Sequence, residues 1–357
     1  MTSEAASGSN PGSNPGSNMV DWSLAVTIGS MLAGDGPSVS RAEADEAVAE
    51  LRADAGKSTG LVRDFTGLDA PDGTAPVLVV DRPGWVQANA DAFQVATGAM
   101  MRKMVEKREP GRIAQLVGSK VTGAEVGGLL GFLAGKVLGQ FDPFYEPAGR
   151  LLLVAPNIVH VERELGVDPT DFRLWVCLHE ETHRVQFTAV PWMRDHLFSE
   201  INAISETLEP ASLLDGGIER VTEAIKSGRN GGSIVDMFST PEQREILDRV
   251  TGMMSLLEGH ADVVMDDVGP QVIPSVDDIR AKFTKRRQGI GPLDRILRRL
   301  LGLEAKMAQY RDGAHFVRAV VDKVGMDEFN AVWTDAAHLP SKAELADPEG
   351  WVRRVLG

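Results

Sequence analysis

The chain has 357 residues, 43% of them apolar, which is enough for a substantial buried core, and a formal charge of −14. That charge excludes a general nucleic-acid binder, which needs a net basic surface or a clear basic stripe. A single cysteine excludes an intramolecular disulfide, and an N-terminus with neither a basic nor an apolar targeting segment predicts a cytoplasmic protein.

Residues 1–19 carry a tandem Gly-Ser-Asn-Pro repeat that can bury nothing and is expected to be a disordered tail. Apolar residues at three- and four-residue steps then predict amphipathic helices over 21–33 and 40–68, the second capped by Ser40. The runs APVLVVDRP (75–83) and GRLLLVAPN (149–157) are short, rich in branched residues and closed by Pro or Asn, so each predicts a short strand. Between them, WVQANADAFQVATGAMMRKMVEKRE reads as helix.

The following stretch, 121–144, repeats glycine at positions 123, 127, 131 and 135. Its uncharged part, Val126 to Gly135, is ten residues long, against the roughly 20 needed to span a bilayer. A close-packed intramolecular helix is therefore expected here; peripheral membrane contact is left open, and spanning is not supported. No nucleotide loop is supported either, because the GK pair is followed by Val137 and not by Ser or Thr.

Helices are next expected over 171–188, 190–208, 240–267, 275–287, 291–301, 303–324 and 341–356, separated by Gly, Pro or Asp turn signals. The basic run at 285–299 reads as a solvated or ion-paired helical face. The expected fold is mainly α (α+β), helical with a small β-sheet. After the tail, residues 20–150 form an N-terminal helical region with a short strand and 151–357 a metal-binding helical region, packed as one compact unit.

The chemistry concentrates in DFRLWVCLHEETHRVQF. Leu174 to Leu178 are apolar all round, which predicts a buried helix. Histidines and glutamates on such a helix need partners, because unpaired polar groups in the interior are costly. His179 and His183, at i and i+4, project from one face and can share one tetrahedral Zn²⁺. Glu180 points beside that ion, where a base activating its water belongs. A third ligand is expected in SLLEGHADVVMDD, from Glu258 or from His260, which points about 200° away from Glu258 at the helical pitch. Asp262, one turn after Glu258, is placed to accept a hydrogen bond from the far nitrogen of a ligand histidine. Cys177 reads as a small buried hydrophobe, and His160 and His196 as structural and exposed.

HExxH followed about 75 residues later by ExxAD resembles the gluzincin pattern of the membrane-associated prenyl-protein peptidases. Beyond the motifs, the run from VDWSLAV through FDPF, HEETHRVQF, LLEGHADVVMD and LLGLEAKMAQYRDGAHFVRAVV resembles an actinobacterial zincin-like family of hydrolase or metallopeptidase character, one branch of which is associated with deazaflavin-coenzyme biosynthesis. The resemblance covers about residues 20–340. It implies a zincin-like fold with His179, His183 and Glu258 on zinc and Glu180 as base. The reading that follows is a zinc metallopeptidase-like hydrolase acting on a peptide or protein substrate, with Tyr310, Arg311 or His315 as donor to the developing oxyanion.

Two positions depart from the usual zincin pattern: Glu181 follows the base and Arg184 follows the second histidine. Arg184 is within reach of both Glu180 and Glu181, and pairing with Glu180 would weaken the base. The alternative function is therefore a catalytically weak or inactive zincin-fold scaffold that retains structural zinc.

Overall fold

A computed structural model describes residues 19–71, 73–107, 112–207, 240–288 and 303–357. Helix α1 (Trp22–Ala33) begins where the Asp21 carboxylate accepts the Leu24 N–H, and α2 (Arg41–Thr66) begins at a reciprocal Ser40–Glu43 capping box. Gly67, with φ of 70°, ends α2 in the left-handed region that favours glycine. Strand β1 (Val77–Val80) leads into α3 (Arg82–Lys107) and α4 (Arg112–Ala134), followed by β2 (Gly139–Asp142) and β3 (Arg150–Val154). From there the described chain is helical: α5 (Ala155–Leu165), α6 (Pro169–Ala189), α7 (Pro191–Thr207), α8 (Pro241–Val272), α9 (Val276–Gln288) and α10 (Leu303–Val324), with short helical turns thereafter. The fold is mainly α with one small sheet.

The sheet has the order β1-β3-β2, with β1 parallel and β2 antiparallel to β3, so that β2 forms an edge and Gly139 stands opposite Leu153. β3 is covered on both faces, and Leu151 to Val154 are at most 1% exposed. That explains its unbroken apolar run. Its side chains alternate between two cores: Leu153 enters the large one built on α2, α6, α8 and α10, while Leu152 and Val154 enter a smaller one with α3 and α4.

Several boundaries differ from the sequence reading. The 121–144 stretch is not one helix: α4 stops at Ala134, and β2 pairs with β3 instead. Residues 81–83 and 155–157, expected at strand ends, open or precede helices, because Arg82 starts α3 and Ala155 starts α5. Helix α8 runs past 267 to Val272 with Pro270 inside it, so that the lost N–H falls in the last turn. The stretch 341–356 divides into Lys342–Leu345 and Pro348–Val355, since Ser341 and Asp347 each cap a new start. The helix expected over 291–301, the tail at 1–18 and most of the basic run at 285–299 lie outside the described residues. No helix among the described residues is long and apolar enough to cross a membrane.

Candidate metal centre

Helix α6 starts at Asp168, whose side chain accepts the Asp171 N–H, with Pro169 in the first turn, where its missing donor does no harm. Leu174 to Leu178 are buried, as their all-round apolar pattern requires, and Cys177 is fully buried among them. This fixes α6 in the large core and turns its next two turns, with His179 and His183, toward α8. The imidazole rings stand 4.9 Å apart at 88°. Glu258 of α8 reaches both: one carboxylate oxygen lies 3.7 Å from His179 Nε2 and the other 3.7 Å from His183 Nε2. One donor atom from each of the three residues lies within 4.8 Å of the others.

The far nitrogens are also occupied. His183 Nδ1 donates to Gln186 Oε1 at 3.0 Å, and the Gln186 amide group donates in turn to the Leu257 carbonyl (3.0 Å) and to His260 Nδ1 (2.9 Å). This relay fixes the His183 proton on Nδ1 and leaves the Nε2 lone pair toward Glu258. His260, the rival third ligand, is fully buried, stacked on Phe329 and set edge-on to Trp333. Burial, with the nearby His183, pushes its pKa down to about 3, so it stays neutral. At His179, Met265 Sδ lies 3.2 Å from Nδ1, and Asp262 lines the same cleft, where its charge acts on Arg280.

The two adjacent glutamates have separate environments. Glu180 is buried against the edge strand: a Cβ on Gly139 would lie 2.5 Å from its side-chain carbons. Burial, then the charges of Glu258 and Glu181, push its carboxyl up to about 8, and a cation between the ligands would favour the ionised form again. Glu181, about 100° further round the helix, is fully buried. Arg184 binds it at 2.7 Å and Thr59 donates to it at 3.0 Å, while the same guanidinium donates to Thr59 and to the Ala75 carbonyl. Arg184 therefore spends its donors on Glu181, Thr59 and the Ala75 carbonyl, and none of these bonds goes to Glu180.

His179 and Glu180 open onto a cleft of about 830 Å³ walled by α6, α8, α9 and the turn before β2. Of the other sequence-predicted residues, His315 is exposed on α10, and the side chains of Tyr310 and Arg311 lie outside the described residues. His160 is exposed beside Glu164, whereas His196 is largely covered and packs against Trp192. Gln186 and Gly139 were not singled out from the sequence. A lone amide among apolar neighbours in HRVQF was a usable signal for the first; Gly139 is readable only once β2 is placed.

The donors suit zinc. Two imidazole nitrogens and one carboxylate oxygen make up a catalytic zinc set. Donors around a tetrahedral ion with bonds of about 2.0–2.1 Å are about 3.3 Å apart, near the 3.7 Å between each Nε2 and Glu258. None of the curated proteins compared matches the chain. The structure of a candidate hydrolase with a novel fold from Chloroflexus aurantiacus superposes with a TM-score of 0.70 at 32% identity, covering 94% of this chain and 98% of that one. The model of the zincin-like metallopeptidase family matches residues 20–352, and the chain belongs to that family.

Proposed function

We propose that the chain is a zinc-dependent hydrolase that cleaves an amide bond in a peptide or protein substrate, with His179, His183 and Glu258 holding the metal and Glu180 as general base. The observation that carries this is the convergence of three zinc-type donors beside a cleft that His179 and Glu180 line. When bound, zinc supplies Lewis-acid polarisation of the carbonyl and a water of lowered pKa. Glu180 accepts the proton of the attacking water and passes it to the leaving amine. Its contact with Gly139 fixes the carboxylate in place. Asp262 helps hold the site from α8, and Tyr310, carried by α10, is the proposed oxyanion donor. The pairing of Arg184 with Glu181 supports a working base over a silent scaffold.

E180Q tests this. The variant should bind zinc as the wild type does and cleave a peptide library about 10²–10⁴-fold more slowly. Wild-type turnover in E180Q would rule the mechanism out.

A further inference from the structure

A chain of net charge −14 carries four basic side chains on one cleft: Lys136, Arg280, Lys285 and Arg286. Two of them are already committed. Arg280 pairs with Asp266, and Arg286 pairs with Glu164 at 2.9 Å. The two lysines have no carboxylate partner among the described residues, and both are exposed. Lys136 lies over the Phe132 ring at 5.6 Å, a contact that uses its charge but none of its N–H donors.

Lys285 sits in the last turn of α9, where a cation complements the helix carbonyls, so by itself it needs no ligand. Lys136 stands just past the C-terminus of α4, where the same complementarity holds, in the turn before β2 and three residues before the Gly139 that supports Glu180. Two elements remote in sequence thus bring free ammonium groups to the cleft that holds the proposed base. The same cleft is lined by the carboxylates of Glu180, Asp262 and Asp266, the last paired with Arg280, and by Trp175, whose buried Nε1–H finds no acceptor among the described residues.

We propose that this cleft selects substrates bearing a carboxylate near the cleaved amide, held by Lys136 and Lys285. The proposal rests on the hydrolase reading for where the substrate lies, but the charge preference is a binding property that does not need the metal. An acidic side chain within the peptide and a free chain terminus offer the same chemistry, and the test separates them.

Three rhodamine-labelled hexapeptides are titrated into the metal-free full-length protein and followed by anisotropy. One contains glutamate and is amide-capped, the second is its glutamine counterpart, and the third is that counterpart with a free C-terminal acid. The expected result is about tenfold tighter binding of one or both acidic peptides, with the advantage largely lost at 1 M salt. The K136E/K285E double variant should abolish the preference, and the K323E/K342E double variant, which makes the same charge change away from the cleft, should leave it intact. Gain by the glutamate peptide assigns the carboxylate to a side chain, and gain by the free acid alone assigns it to the chain end. Equal binding of all three peptides overturns the proposal, absence of binding included, as does a preference that survives the double reversal. Zinc content and E180Q turnover, measured separately, report on the hydrolase reading.

Discussion

The two sides of the sheet are closed by opposite means. Against α1, helix α4 has no side chains at Gly123, Gly127 and Gly131, and an added Cβ would lie 2.5–2.8 Å from the backbone oxygens of Asp21, which caps α1, and of Ala25 and Gly29 within it. Three helical glycines forgo about 1 kcal/mol each relative to alanine, so close backbone approach must return more than that. On the other side, α6 has no glycine and packs on α2 and α8 with full side chains, so that its Glu180, Glu181, Arg184 and Gln186 and the His260 of α8 are buried, while α8 in turn meets α10 closely through Gly259 and Gly313. A contact with only packing to do can dispense with side chains. A contact that must hold a reactive carboxylate needs side chains around it, together with the one gap that Gly139 leaves for Glu180.

That contrast can be broken at chosen points. The largest effect is expected at Arg184→Ala, which strands Glu181 as a buried, unpaired carboxylate; urea unfolding of the metal-free protein should show a loss of about 3–5 kcal/mol. Gln186→Leu keeps volume but removes the relay behind His183, and zinc titration should show affinity reduced about 10–100-fold. Gly131→Ala comes last. It pushes α1 and α4 apart at a cost of about 1–3 kcal/mol, offset by about 1 kcal/mol of helix propensity. Its zinc affinity should equal that of the wild type, and a loss there would show that the two sides are not separate in function.

What was legible follows the same division. Helical spacing alone places His179 and His183 on one face and sends His260 away from Glu258, because both are properties of a single helix. The glycine stripe was readable as a close contact for the same reason, although Gly135 falls past the end of α4. What one helix cannot specify was missed. β2, spelled GQFD, has no alternating pattern and exists because β3 offers it an edge. Whether Arg184 turns to Glu180 or Glu181 depends on Thr59 and Ala75, more than a hundred residues earlier in the chain. The work of Gln186 is set by Leu257 and His260 on α8.

The central claim is that two imidazoles of α6 and the Glu258 carboxylate of α8 hold one zinc ion. Metal analysis of purified wild type, H179A, E258A and H260A tests it most directly. The account predicts one zinc per chain in the wild type and in any H260A that folds, and little or none in H179A and E258A. Zinc retained at full affinity by E258A, or absent from folded wild type supplied with zinc, would contradict it.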